Sequence, residues 1–306
     1  MRPIREQIIL FEGQSFRLLR WNRSVLEVEC VLSPDQSVSL AGVGSHWHFH
    51  PEMELTLFTS GNGTRFVGDH IGEFQAGDLV LLGANLPHYW HAMGDSTGLS
   101  LQWHFPLDHP FWAFPENECN KKLFEQASRG LHLMGNTAGE ISRLMMELTQ
   151  ARDTARLGHL FAILGKLPTA NAKNRPYLSR QPVFVSAEPH HQQAISKAVR
   201  YLVNHFREEI LLQDLLQLTA LSRPTFSRQF KQHSGRSFSE FVTQLRLQAA
   251  CRELNETSHS ILDVALNCGF TQISFFNRLF RRELGCSPSQ YRRESVSGNS
   301  ASSASE

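Results

Sequence analysis

The last third of the chain repeats itself with an offset of 50 residues. Phe226-Ser-Arg-Gln-Phe-Lys231 returns as Phe276-Asn-Arg-Leu-Phe-Arg281, and Gly235-x-Ser237-x-Ser239-x-Phe241 returns as Gly285-x-Ser287-x-Ser289-x-Tyr291. One period of a repeat is one structural unit, so this region must build the same local structure twice. Phe226 and Phe230, like Phe276 and Phe280, lie four apart and share one face of a helix. A short helix and a turn precede each pair, which predicts two helix-turn-helix units.

In the first unit, residues 214–221 form the short helix and turn. Ser222 can cap the next helix, with Pro224 in a first turn where a missing N–H costs nothing. The second helix, over 225–233, turns its phenylalanines inward and leaves Arg223, Thr225, Ser227 and Arg228 on or near the outer side. The second unit runs over 261–270, turns at Gly269 and enters a helix over 272–284, with Gln272, Ile273, Ser274, Asn277 and Arg278 outward. A helix over 239–255 joins them and is roughly 25 Å long at 1.5 Å per residue. That length suits two recognition helices about 34 Å apart, one turn of DNA. Arg and Asn fit guanine and adenine edges, and Ser and Thr fit bases or phosphates.

The charge distribution agrees. Residues 190–293 carry 14 Lys and Arg against 8 Asp and Glu, 12 of the 14 being Arg, whereas residues 1–189 carry 16 against 19. A basic segment beside a mildly acidic one fits a module that contacts phosphates.

Residues 192–293 resemble the AraC/XylS-type DNA-binding domain. The resemblance is carried by Ile261, Gly269-Phe270, Ser274-Phe275-Phe276-x-Arg278-x-Phe280-Arg281-Arg282, Leu284-Gly285-x-Ser287-Pro288 and Tyr291-Arg292. The first unit departs from the family pattern at Leu216, where a small Ala is usual, and at Leu211, where a capping Ser or Thr is common. The resemblance implies a transcriptional regulator, usually an activator that contacts RNA polymerase, and double-stranded DNA as a partner.

From Phe16 to about Pro106 short apolar runs (SVLEVECVL, MELTLF, DLVLLG) alternate with Gly, Asn, Asp and Ser, the signature of a β-barrel or sandwich. Within it lie His48-x-His50-x3-Glu54-x6-Gly61 and, downstream of Gly77, His88. On a strand His48, His50 and Glu54 share parity and line one face. These segments resemble the two cupin motifs, with Gly83 in place of the usual Pro and Asn85 in place of the usual Gly. Asn tolerates the left-handed backbone needed there. His48, His50, Glu54, His88 and Trp103 are the expected effector-binding residues. Trp47, Trp90, Gln102 and His104 add aromatic and polar groups that suit a sugar or related hydroxylated effector. No cofactor is required, but three His and one Glu would also suit a divalent transition metal at His48, His50, Glu54 and His88. The competing reading is a metal-dependent cupin enzyme with a DNA-binding tail. No acid/base pair, nucleophile motif or phosphate loop accompanies the cluster, so a non-enzymatic regulator is the expectation.

Helical spacing of Ile141, Leu144, Met145 and Leu148, then of Leu157, Leu160, Phe161 and Leu164, predicts helices within 116–167. Their leucine stripe suits either packing on the barrel or pairing of two protomers. The expected architecture is α+β: a cupin-like sensor and possible dimerisation domain over 1–167, a Pro-containing linker over 168–189, a double helix-turn-helix domain over 190–293, and a disordered tail over 294–306. The composition, 41% hydrophobic and 19% charged, contains no apolar run of membrane length. The five cysteines are scattered and never spaced C-x-x-C, so they read as reduced packing residues. The N-terminus offers no signal-peptide cleavage site. A cytoplasmic, homodimeric protein without membrane contact is expected.

Overall fold

The computed structural model describes residues 4–41, 47–182 and 189–293. The architecture is α+β, and the chain divides into two compact units. One reaches Ser196 and includes Arg228–Arg236; the other comprises Lys197–Ser227 and the chain from Ser237 onward.

Among its described residues the first unit has twelve strands: β1 (Ile4–Arg5), β2 (Arg17–Trp21), β3 (Glu27–Ser33), β4 (Gln36–Ala41), β5 (His48–Phe49), β6 (Met53–Ser60), β7 (Asn62–Val67), β8 (His70–Gln75), β9 (Leu79–Leu82), β10 (His88–Ala92), β11 (Thr97–Trp103) and β12 (Leu131–Leu133). They form a five-stranded sheet, β1-β5-β10-β7-β8, and a seven-stranded sheet, β12-β9-β6-β11-β2-β3-β4. Leu19, Trp21, Val28, Cys30, Phe58, Val80 and Leu82 from the larger sheet pack with Val67, Phe74 and Trp90 from the smaller one, so the two sheets enclose a shared core.

Strand β6 explains how the sheets and helices fit together. Met53 through Phe58 are all buried, because side chains alternate between two covered faces. Glu54, Thr56 and Phe58 point between the sheets. Met53, Leu55 and Leu57 point outward into a second core with the helices α1 (Glu118–Ala127), α2 (Gly135–Leu148) and α3 (Asp153–Lys166). The leucine stripe of these helices belongs to that core. Leu148, Leu160 and Leu164 are fully buried, with Leu144 and Leu157 packed against them, so the stripe covers the sheet and is not available for pairing protomers.

Strand β12, between α1 and α2, was not expected, because Leu131-His132-Leu133 is too short to show a period. It pairs with β9 through Leu131↔Leu81 and Leu133↔Leu79. The segment expected as a linker is in its first part laid against β12. Asn174 O, Pro176 O and Gly130 O accept from Met134, His132 and Leu178 amides at 2.8–3.0 Å. Ser179 is buried and donates its hydroxyl to Asp69 Oδ1 at 2.6 Å. The prolines here make an extended strap rather than a free spacer, because its carbonyls and amides find backbone partners. Residues 183–188 of the expected linker, and the expected tail 294–306, lie outside the described residues.

The remaining helices are α4 (Pro189–His205), α5 (Leu212–Thr219), α6 (Arg223–Ser234), α7 (Phe238–Glu256), α8 (Ile261–Asn267) and α9 (Ile273–Leu284). The expected 239–255 helix is α7. A capping box starts it: Ser237 Oγ accepts from the Glu240 amide and Glu240 reaches back to the Ser237 amide. Ser260 caps α8 in the same way through the Asp263 amide. Between α8 and α9, Gly269 adopts φ +85°, and a Cβ there would meet Arg207 O at 2.8 Å. Leu247, Leu254, Val264, Phe270, Phe276, Leu279 and Phe280 form the core of the second repeat unit. Among the described residues no helix is long and apolar enough to cross a membrane.

Candidate ligand site and nucleic-acid interface

The four residues singled out between the sheets meet in space. One ligand atom from each of His48, His50, Glu54 and His88 lies within 4.8 Å of the others, and all four residues are buried. Their arrangement differs from the expected single strand face. His48 on β5 stands opposite His88 on β10 in the five-stranded sheet, Glu54 projects from β6 of the seven-stranded sheet, and His50 occupies the corner where the chain crosses from one to the other. The donors therefore tie the two sheets together. Asn85, in the loop that delivers His88, has φ +59°, the left-handed backbone its place in the motif required.

Hydrogen bonding fixes the tautomers. His50 Nδ1 lies 3.1 Å from Glu52 O and His88 Nδ1 lies 2.8 Å from Leu86 O. A carbonyl only accepts, so both Nδ1 atoms carry protons, and in the neutral rings both Nε2 atoms carry lone pairs. Those Nε2 atoms face Glu54 Oε2 at 3.1 and 3.6 Å, and the His88 Nε2 has no hydrogen-bond partner. Metal-ligating histidines are held in just this way, with the second ring N–H on a carbonyl. Without a metal, a proton must fill the gap. Burial opposes it, yet the Glu54 charge raises the His88 pKa. Burial likewise opposes Glu54 ionisation, but the positive field of His88 and the hydrogen bond from His50 hold its carboxyl well below the usual range. The donor set and its tautomers fit a divalent transition cation.

Further side chains complete the site. Gln102 Nε2 donates to Glu54 Oε2 at 2.7 Å, Arg17 Nε donates to Gln102 Oε1 at 2.7 Å, and Thr56 donates its hydroxyl to Glu54 Oε1. Glu6 bridges Arg17 Nη2 at 3.0 Å and His48 Nε2 at 3.4 Å. Sequence reasoning missed Glu6, Arg17 and Thr56. Arg17 and Thr56 could have been found from strand parity, whereas nothing local marks Glu6.

Trp103 is a correction. It follows Gln102 on β11, so its ring falls on the opposite face, where it is 1% exposed in the outer core and 6.0 Å from Phe124. Trp47 packs against Phe66 and His104 is tied to Pro51 O, whereas Trp90 does line the interior. The cavity bounded by Leu19, Trp21, Trp90, Ser100, His48 and Glu54 measures about 40 Å³. A void of about 150 Å³ is what takes up benzene, so the space between these side chains as they stand suits an ion and its water.

In the helical part, Phe226 and Phe230 of α6, and Phe276 and Phe280 of α9, are fully buried. Arg223, Ser227 and Arg228 are exposed and Thr225 is half-buried, its amide donating to Ser222 Oγ at 3.4 Å. Gln272, Ile273, Ser274, Asn277 and Arg278 are exposed. Of the residues expected on an outer face, all but Thr225 are exposed, each on a helix that buries phenylalanines on its other side.

Residues 215–294 match a family model described as a helix-turn-helix domain. The chain is 33% identical over 116 residues to the HTH-type transcriptional activator RhaS of Enterobacter sp. (strain 638), and 31% identical over 116 residues to that of Salmonella paratyphi B; each match covers 38% of this chain and 42% of the relative. Less than half of the length of these relatives is therefore spanned. A transcriptional regulator from Chromobacterium violaceum described as having an AraC-type DNA-binding domain aligns at 29% identity over 34% of this chain and 93% of that one, TM-score 0.32. The DNA-binding domain of AdpA, solved with a target DNA, aligns at 30% identity over 33% and 91%, also TM-score 0.32.

The C-terminal part of the chain holds a helix-turn-helix domain.

The two departures from the AraC/XylS-type pattern have a visible local form. Leu211 at the start of α5 provides no side-chain cap, and Leu216 is half-buried. The reading faces also contain a residue that the sequence analysis left out. Phe275 is 40% exposed, and the guanidinium of Arg278 lies 5.8 Å over its ring.

Proposed function

We propose that the protein is a sequence-specific DNA-binding transcriptional regulator whose sheet-enclosed site holds a regulatory divalent transition cation. The observation that carries the first part is the pair of helices α6 and α9, each with buried phenylalanines on one side and exposed Arg, Ser, Asn and Gln on the other. Helices of this kind enter the major groove by their N-terminal residues. The reading assigns Arg223, Thr225, Ser227, Arg228, Gln272, Ile273, Ser274, Asn277 and Arg278 to DNA. Activation is supported by the name of the relatives, HTH-type transcriptional activator, and RNA polymerase and a second copy of the chain are the further partners of the proposal.

The cation is supported by the converging lone pairs of His50 and His88 and by the small cavity, which favour an ion over a sugar. Bound there, it would supply positive charge to Glu54 and accept the imidazole lone pairs. Gln102 and Arg17 orient the Glu54 carboxylate, and Leu86 and Glu52 carbonyls orient the rings. A ligand shifts an equilibrium only by its differential affinity for two states. Strand β6 offers such a route, since Glu54 alternates with Met53 and Leu55, which carry the helical layer.

Selection of bound fragments from genomic DNA by the full-length protein tests the reading. Enrichment of a motif spanning two successive major grooves, abolished by Asn277→Ala with Arg278→Ala, is expected. Binding without any sequence preference at moderate salt, where only the phosphate term operates, refutes it.

A further inference from the structure

The two copies of the repeat differ where they would touch bases. At the 50-residue offset Arg223 corresponds to Ile273 and Thr225 to Phe275, while Arg228 and Arg278 are retained. The second copy has thus replaced a cation and a hydroxyl by two large apolar side chains, and α9 leaves them in solvent: Ile273 is 36% exposed and Phe275 is 40% exposed. Both lie in the first turn of α9 and are exposed there, whereas Phe276, Leu279 and Phe280 of the same helix are buried. The inner edge of the Phe275 ring rests near Phe270, at 6.3 Å, and Arg278 lies over its face.

We propose that Ile273 and Phe275 read thymine through its 5-methyl group, so that the half-site met by α9 contains T·A pairs beside the base met by Arg278, while α6 meets its half-site through hydrogen bonds alone. This rests on the DNA-binding reading above. In the major groove the thymine methyl is the one apolar feature a base pair presents, and it is the feature that an apolar first turn can use. Phe275 has a second task. A guanidinium over an aromatic face is held by the ring quadrupole, so Phe275 also positions Arg278 and limits where its fork can reach.

The test uses the full-length protein and a random duplex library at fixed salt, followed by replacement of thymine by deoxyuridine in the enriched duplex, one half-site at a time. Deoxyuridine keeps every hydrogen-bonding group and removes only the methyl. Expected are thymines in one half-site, and about fourfold weaker binding per methyl removed there, the worth of one buried methylene-sized group. Phe275→Ala with Ile273→Ala should bind more weakly yet show no response to deoxyuridine. Phe275→Leu should retain part of the response, and Thr225→Ala all of it, which separates loss of the contact from loss of the fold. An enriched duplex that binds equally well with deoxyuridine throughout overturns the inference and leaves the DNA-binding reading standing. A library in which no duplex is enriched overturns both. Retained affinity and retained methyl dependence in the double variant assign the apolar pair to a protein partner instead.

Discussion

His88 Nε2 faces Glu54 Oε2 at 3.6 Å while its Nδ1 proton is given to Leu86 O. Two electron-rich atoms thus point at each other inside the protein, an arrangement stable only with a positive charge between them. Proton and metal compete for that place.

The first prediction follows from this competition. Addition of Zn²⁺, Ni²⁺ or Co²⁺ to chelator-treated protein should raise its thermal midpoint at pH 7.5, the stabilisation being about 2.7 kcal/mol at a hundredfold excess over Kd. The gain should shrink as pH falls and a proton takes the metal's place on His88. Glu54→Gln and His88→Ala should each abolish it. A calorimetric trace that is the same with and without metal would remove the cation from the proposed function.

His70 supplies a pH dependence away from that site. Burial, aided by the nearby Arg65 charge, lowers its pKa from 6.5 to about 3, and Arg65 Nε donates to the bare His70 Nε2 at 3.4 Å. Arg65 in turn is ion-paired with Asp78 at 2.6 Å, which also meets His132. A lowered histidine pKa means that the unfolded chain binds the proton more readily. The contribution is full above pH 6.5 and is lost as pH drops towards 3. Denaturant unfolding of His70→Gln should therefore show a flatter stability profile between pH 6.5 and 4 than the parent protein.

Ala220 ends α5 with φ +53°, a left-handed conformation that costs a non-glycine residue roughly 1–2 kcal/mol. Ala220→Gly should recover a large part of this, about 1 kcal/mol after the added chain entropy of glycine, read as a higher urea midpoint. A lower midpoint would show that the Ala220 methyl is worth more than its backbone strain.

The turn of the second unit should behave in the opposite sense. Gly269→Ala would place a methyl group against Arg207 O and Arg246 Nε at 2.8 and 2.9 Å, on a backbone at φ +85°. A loss of about 1–3 kcal/mol is expected. Hydrogen exchange should locate the loosening in α8 and α9 and leave the sheets of the first unit protected.

Much of this was legible in the residues. The repeat gave the two helical units because Phe226, Phe230, Phe276 and Phe280 keep helical spacing and each pair must be buried. His48, His50, Glu54 and His88 could be singled out because their spacing follows a motif. What the spacing could not show was that His50 sits at a corner between sheets, since parity along a strand is meaningful only while the strand continues. Trp103 stands next to Gln102 in the sequence, but the pleat turns it to the other face of β11. Glu6 and Arg17 reach the site through pairing of β1 with β5 and of β2 with β11, long-range register that no local window contains. The expected linker over 168–189 finds, in its first part, partners in β12 and the residues flanking it, which again no local window contains.

The burial of β6 on both faces has one more consequence. Its odd-numbered residues belong to the helical core and its even-numbered ones to the ion site, so the strand is read in two frames at once. Insertion or deletion of one residue between Met53 and Phe58 would exchange the frames, turning Glu54 towards the helices and an aliphatic side chain towards the histidines. Point substitutions here can be weighed one face at a time, but a change of length strikes both, and drift in this family of sequences should be found in the loops on either side of the strand and not within it.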